Sequence, residues 1–546
     1  MFTPEKVLET FKKQFPFPSM REEQRLAFEK LAPWLAGLFA DDFTEPLYFG
    51  ADLPTGVGKS PLAIDVALSI QALLRETDWE FKQIWVVTAN KLLQDQYQRD
   101  FSEDVYDLRG LDNYPCDYDP GKTCGTSKCA RKSPKNKEDA NPPEDCGKSC
   151  GYDRAKNTAK TKPILLLNVA KAFTMLNQPF QYKPPLLMIF DEGHNVEGAL
   201  DSEAGISFSP QELEKIHYRF ETYFPELWNV AKIPEGLEAL ADSLGPDLAD
   251  QLRRPADMRD ISVIKKMENL LKKYETYVKY QEAGIDFIQC SEEKIDLRPL
   301  KVHLVFQQVF KFPTIFLSAT LLSKTGFKSI TGLTDENLDW FGVGSPFPKE
   351  NRPMYNFWGI GAQPLNYGNM KDELPNLIER VRRMMDRHPD ERGIIHTHTY
   401  NIANQIYEKI GHPYNTRLLY PKTAPEQKQA LENHKRNPRS VLISPSMTEG
   451  VDLKGDLCRF AGMCKVPYLP TNDPVVSARM ESDPNWYAYR TAMTIVQAPG
   501  RGVRSTDDYC ATYFLDPAFL NFINRAKDLF PEWFLESWQR KAIGGI

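Results

Sequence analysis

The sequence predicts an α/β protein built from two parallel-sheet units, on three observations. Short apolar runs closed by turn or breaker residues alternate with helical patterns in both halves of the 546 residues, as strands buried on both faces require. A glycine-rich turn, Pro54-Thr-Gly-Val-Gly-Lys-Ser60, stands between one such run and a helical pattern. Further on, the apolar run 186–190 ends in a pair of carboxylates, Asp191 and Glu192.

Taken in order, residues 3–14 read as a helix, the Phe-Pro-Phe-Pro segment at 15–18 as a breaker, and 21–38 as a second helix. The strand 48–53 feeds the glycine turn, a helix runs on to residue 75, and strands follow at 84–88, 163–167 and 186–190. A cysteine-rich stretch, 105–160, interrupts this unit. A second interruption, 209–305, is largely helical in pattern: Ile264, Met267, Leu270, Leu271, Tyr274 and Val278 share one face, with Lys265, Lys266, Lys272 and Lys273 among the polar positions. That stripe reads as core. The sheet pattern returns at Thr314-Ile-Phe-Leu-Ser-Ala-Thr320. From residue 345 a second unit carries strand-like runs at 393–398, 440–444, 459–466 and 509–515. The first unit therefore comprises 1–104, 161–208 and 306–344, and the second 345–546.

A glycine-rich turn at a helix start points backbone N–H groups at a polyphosphate, while a lysine neutralises the outer phosphates. Lys59 is that lysine, Ser60 supplies a hydroxyl for Mg²⁺, and Thr55, Gly56, Val57 and Gly58 form the cradle. Pro61 falls in the first helical turn, where its missing N–H costs little. Leu53 stands where the phosphate-loop pattern has its first glycine. A carboxylate leaving a buried strand holds Mg²⁺ and its neighbour activates the attacking water, the roles given to Asp191 and Glu192. The competing view is an ordinary surface acid pair.

The composition, 41% hydrophobic and 26% charged, is that of a globular chain. It has no apolar run of membrane-spanning length, and residues 1–14 are amphipathic and charged, not a leader. The expectation is an intracellular, cytoplasmic protein without a membrane partner. A net charge of -6 confines any nucleic-acid contact to a local patch. Residues 121–163 hold eleven Lys and Arg against five Asp and Glu, and Lys128, Arg131 and Lys132 lie there. Five of nine cysteines, Cys116, Cys124, Cys129, Cys146 and Cys150, fall in the same region. In an intracellular chain such clustering points to metal, and the spacing admits zinc as well as an iron-sulfur cluster. Cys290, Cys458, Cys464 and Cys510 lie in or near apolar runs and read as packing residues.

In the second unit, Gln497-Ala-Pro-Gly-Arg-Gly-Val-Arg504 places Arg501 and Arg504 three residues apart. Arginines so spaced reach a γ-phosphate held by the other unit when the two close. Ser446-Met-Thr-Glu-Gly-Val-Asp-Leu453 adds another strand-to-loop segment with carboxylates.

Along nearly its whole length the chain resembles superfamily-two helicases of the XPD/DinG type, the iron-sulfur helicases. The family's motif order is matched by Arg21 and Gln24, by 55–60, 88–96 and 191–194, by Ser318-Ala-Thr320, by Glu449-Gly-Val-Asp452 and by 497–504. Ile394-Ile-His-Thr-His-Thr-Tyr400 is a weak match to motif IV, and Gly193 stands where the family more often has alanine. The resemblance implies two RecA-like motor domains, with an iron-sulfur domain at 105–160 and a helical arch at 209–305 inserted in the first. It gives Arg21 and Gln24 to adenine, Asp452 to the nucleotide, and Gln497, Arg501 and Arg504 to catalysis. It implies a [4Fe-4S] cluster on four thiolates, for which Cys116, Cys129, Cys146 and Cys150 are favoured and Cys124 is the spare.

The expected activity is ATP- and Mg²⁺-dependent unwinding with 5′-to-3′ movement on single-stranded or forked DNA, RNA–DNA hybrids being further substrates, by a monomer. Tyr114 and Tyr152 are candidates for base stacking. The rivals are a single-strand translocase that remodels R-loops or protein–DNA complexes, and an adaptor in which ATP is only a conformational ligand.

Overall fold

The computed structural model describes residues 2–44, 47–79, 81–117, 120–126, 150–178, 181–227, 229–254, 260–366, 368–445, 453, 455–499, 502–503 and 505–543. Cys129, Cys146, Lys128, Arg131, Lys132, Asp452, Arg501 and Arg504 lie outside the described residues.

In chain order the first strands are β1 Tyr48–Asp52, β2 Ile84–Thr88, β3 Tyr106–Asp107, β4 Ile164–Asn168 and β5 Leu187–Asp191. Next come β6 Ile206–Phe208, β7 Phe287–Gln289, β8 Ile295–Pro299, β9 Thr314–Ser318 and β10 Leu338–Gly342. The second unit holds β11 Met354–Asn356, β12 Gly393–His396, β13 Leu418–Leu419, β14 Val441–Ser444, β15 Phe460–Met463, β16 Ala511–Phe514 and β17 Trp538–Gln539. Two seven-stranded sheets result, ordered β10-β1-β9-β5-β2-β4-β3 and β13-β14-β12-β15-β16-β11-β17. All their paired strands run parallel. Strands β1, β2, β4, β5 and β9 are buried at every position. Continuous apolar runs of this kind leave both sheet faces covered by helices.

The stretch 209–305 is not helical throughout. Helices Ile233–Arg253 and Ile261–Glu282 pack together, but β7 and β8 form an antiparallel pair closed by β6. The alternating burial of Ile295, Asp296, Leu297, Arg298 and Pro299 is a two-residue period that the helical stripe beside it obscured. The stripe itself is core: Met267 and Leu270 join Phe208, Leu237 and Leu297 in a separate apolar cluster, with Leu271, Tyr274 and Val278 packed on its edge. The Lys265 ammonium reaches the Gly125 carbonyl, so this insertion touches the cysteine segment.

One apolar cluster runs through both units. It joins Phe306, Phe316 and Phe327 of the first to Trp486, Tyr489, Phe514 and Phe534 of the second. No helix among the described residues is long and apolar enough to cross a membrane.

Candidate nucleotide site

Strand order builds the site. β9 lies between β1 and β5, and the register sets Asp52 beside Ser318 and Asp191 beside Leu317. The carboxyl ends of three adjacent strands thus present Asp52, Ser318 and Asp191 in a row, at the edge where parallel α/β sheets take their ligands.

The glycine turn leaves β1 and enters helix Lys59–Leu74 through Gly58, whose φ of +88 only glycine adopts without strain. Leu53, in place of the pattern's first glycine, is fully buried and donates its N–H to the Ser318 carbonyl at 2.6 Å. Thr55, Gly56, Lys59 and Ser60 remain partly accessible and Val57 is buried. Gln24 braces this turn: its Nε2 donates to the Gly58 carbonyl at 3.0 Å, while its Oε1 accepts from the Arg21 backbone N–H at 2.9 Å. Its amide is therefore engaged in holding the phosphate turn, with only part of its bonding capacity left for a base.

Asp191 is 1% exposed. Its Oδ1 accepts from the Glu192 N–H at 2.9 Å and its Oδ2 from the Tyr97 hydroxyl at 2.7 Å. Burial, reinforced by the Glu192 charge and opposed by Lys59 and Tyr97, pushes its carboxyl up to about 6. Burial also raises Asp52 to about 6, against two backbone donors at Leu321 and Leu322 and the nearby Lys59 charge. The Lys59 ammonium therefore acts on two buried carboxyls at once.

Glu192 has φ +56 and ψ 49, a left-handed conformation unusual for a side-chain-bearing residue; such strain is of order 1–3 kcal/mol and gathers at functional positions. Glu192 Oε2 lies 3.3 Å from His194 Nδ1, which is hydrogen-bonded to Ser318 Oγ at 2.7 Å. Ser318 Oγ in turn accepts from the Thr320 N–H at 3.0 Å. The carboxylate pair is thus wired to the Ser318-Ala-Thr320 segment. A Cβ at Gly193 would sit 3.0 Å from the Phe316 Cβ, so glycine lets this turn lie close against β9.

Two residues of the site were not foreseen. Tyr97, fully buried, touches Ser60 as well as Asp191; it sits one residue beyond the matched segment 88–96. Asp52 holds the loop after β9, accepting from the Leu322 N–H at 3.1 Å, where Leu322 has φ +62. Its sequence signal, an acid ending an apolar run, is the one that revealed Asp191.

Gln497 closes helix Pro484–Gln497 and is half-buried, while its arginine partners lie outside the described residues. Two capped helices begin at the carboxyl ends of β2 and β12. Asn90 caps Lys91–Asp100, with Leu92 74% exposed, and Thr399 caps Tyr400–Lys409, with Tyr400 56% exposed.

The cysteine segment brings Cys124 Sγ to 3.7 Å from Cys150 Sγ, with Cys116 close enough to affect its charge. Cys124, set aside as the spare, is therefore in contact with a favoured ligand position. Among the described residues no three His, Cys, Asp or Glu side chains form a complete metal site. The paired thiols suit a soft, thiolate-bound group. The Tyr114 and Tyr152 rings lie 5.5 Å apart with their planes tilted by 60°, and their hydroxyls accept from the Arg109 N–H and the buried Lys171 ammonium. Both residues remain partly accessible.

Two parallel sheets, a phosphate turn and a carboxylate pair wired to the neighbouring strand define the class, a two-unit α/β fold with a candidate nucleotide site at its strand ends. Residues 381–537 match the helicase C-terminal domain family. The fold is of the type seen in XPD helicases. It is similar to an XPD helicase structure (TM-score 0.60, 16% identity, 94% of this chain and 99% of the other) and to an apo XPD structure (TM-score 0.57, 18%, 88% and 95%). It is similar also to Xpd4 of S. tokodaii (TM-score 0.55, 12%, 93% and 99%). No curated protein sequence matches the chain.

Proposed function

We propose that the protein is an ATP-driven helicase moving 5′ to 3′ on single-stranded DNA, with a cysteine-bound [4Fe-4S] cluster beside the point of strand separation. The observation that carries this reading is the row of Asp52, Ser318 and Asp191 at adjacent strand ends around Lys59. In it Lys59 and the turn 55–60 bind the phosphates, Ser60 and Asp191 hold Mg²⁺, and Glu192 takes a proton from the attacking water. Gln497, Arg501 and Arg504 approach from the second unit, so turnover awaits closure. Asp452 contacts the nucleotide from the same side.

Helix starts at Lys91 and Tyr400 present N–H groups of the kind that grip backbone phosphates, one in each unit, so alternating grip becomes stepping. Cys116, Cys150 and either Cys124 or Cys129 with Cys146 supply the thiolates; the cluster's part is to stiffen the domain against which the duplex opens. RNA–DNA hybrids fall within the same substrate class, and the motor works as a cytoplasmic monomer.

The test is ATP hydrolysis with and without single-stranded DNA, with unwinding of forks of either polarity, for wild type, Lys59→Ala and Glu192→Gln after anaerobic purification. Stimulated turnover, lost in both variants, with unwinding only of the 5′-tailed fork is expected. Turnover without unwinding on any fork would replace the helicase with a translocase, and absence of turnover would reject the motor.

A further inference from the structure

Helix Pro484–Gln497 belongs to the second unit in sequence but is seated on the first. Its Tyr489, fully buried, donates to the Leu321 carbonyl at 2.8 Å, just past Ser318-Ala-Thr320. The ring fills the space beside Gly326, where a Cβ would lie 2.1 Å from it. Trp486 Nε1 donates to Glu197 Oε1 at 2.6 Å, and Arg490 Nη1 stands 3.3 Å from Glu197 Oε2. From the preceding helix, Pro474–Ser482, Arg479 Nη1 donates to Glu197 Oε1 at 3.1 Å and to Asp201 Oδ2 at 3.0 Å, and its Nη2 to the Pro299 carbonyl at 2.7 Å. Glu197 is 3% exposed and Arg479 6%.

Glu197 lies in the first turn of helix Val196–Ala204, which starts immediately after the turn Gly193–Asn195. The same short segment therefore carries the carboxylate pair at one end and a buried carboxylate with three partners from the other unit at the next. In sequence, helix Pro484–Gln497 is followed by the arginine segment 500–504.

We infer that Glu197 is a positioning residue for hydrolysis, one that transmits displacement of the 191–194 segment to the helix ending at Gln497. The inference rests on the ATP-driven reading above. Physically, a buried carboxylate cannot leave its cationic and indole partners without stranding charge away from water, so the network shifts as a body. A movement of the turn 193–195 on nucleotide binding or release then tilts the helix that ends at Gln497.

The experiment compares Glu197→Gln, Glu197→Asp, Arg490→Gln and the double variant Glu197→Gln/Arg490→Gln in the full chain. It measures DNA-stimulated kcat, KM for ATP and thermal midpoint. Glu197→Gln is expected to lower kcat about tenfold or more with KM for ATP within about twofold. Arg490→Gln lowers it less, the double variant is no worse than Glu197→Gln alone, and Glu197→Asp recovers part of the rate. A lowered thermal midpoint with wild-type kcat would make the network a structural clamp and overturn the inference. If Glu197→Gln fails to fold, the partly exposed Arg490→Gln decides by the same split between kcat and KM. Wild type that hydrolyses ATP alongside equally active variants sinks this inference alone; wild type without turnover sinks the motor reading and this inference with it.

Discussion

The Tyr97 hydroxyl donates to Asp191 Oδ2 over 2.7 Å and also meets Ser60, so one phenol touches both side chains proposed to hold Mg²⁺. Tyr97→Phe strands a buried carboxylate oxygen, at a cost of about 1–3 kcal/mol. It also removes a contact that lowers the Asp191 pKa. The expected result is weaker Mg²⁺ binding, read as a raised half-saturating Mg²⁺ concentration for hydrolysis; an unchanged Mg²⁺ titration refutes the assignment.

Burial and Glu192 raise Asp191 to about 6, so metal binding and turnover should fall as pH drops through 6. For the nucleotide-free fold the sign is opposite. A raised carboxyl contributes stability that is full below its unfolded value and is lost as pH rises through 6, and Asp52 behaves alike. Melting curves at pH 5.5 and 7.5 should therefore show a larger Mg²⁺–ATP stabilisation at the higher pH.

Asp65 lies fully buried in helix Lys59–Leu74, with Oδ2 unpartnered and Oδ1 accepting from Ser69 at 3.2 Å. Burial raises it to about 8, so the folded chain holds it protonated at neutral pH. Relative to Asp65→Asn, the wild type should lose stability at about 1.4 kcal/mol per pH unit from roughly pH 4 to 8 and level off above. Denaturant midpoints for both proteins across that range check the slope, and parallel profiles would refute it.

Cys124 touches Cys150, which argues for substituting all five clustered cysteines one at a time. Cys116→Ser, Cys124→Ser and Cys150→Ser are each expected to lower iron bound per chain and the visible absorbance. Full iron content in Cys124→Ser would return it to the role of spare, and zinc in place of iron would change the cofactor without changing the ligands.

The motifs exposed most of the candidate site because phosphate and metal chemistry demands particular residue types at short spacings. Lys59, Asp191 and Ser318 needed no tertiary information, and the buried strands at 84–88, 314–318 and 393–396 announced themselves by apolar runs between breakers. What stayed hidden depends on neighbours distant in sequence. Gln24 turned out to brace Gly58 because a helix packs over the phosphate turn. Gly193 proved to lie close against β9 at Phe316, which only strand order brings beside it. Strands β3, β13 and β17, of two residues each, are too short for any period to register, and β7–β8 disappeared beside a strong helical stripe.

The apolar cluster that joins Phe316 and Phe327 to Trp486 and Tyr489 leaves the polypeptide without a seam. Cutting between the units, at residue 345, would leave Trp486, Tyr489 and Met493 facing water on the excised half, an aggregation hazard and not a domain. The two sheets should therefore melt together, in one calorimetric transition whose enthalpy belongs to the whole chain. Evolution of this protein by swapping its second half for another would have to carry the mating surface along with it.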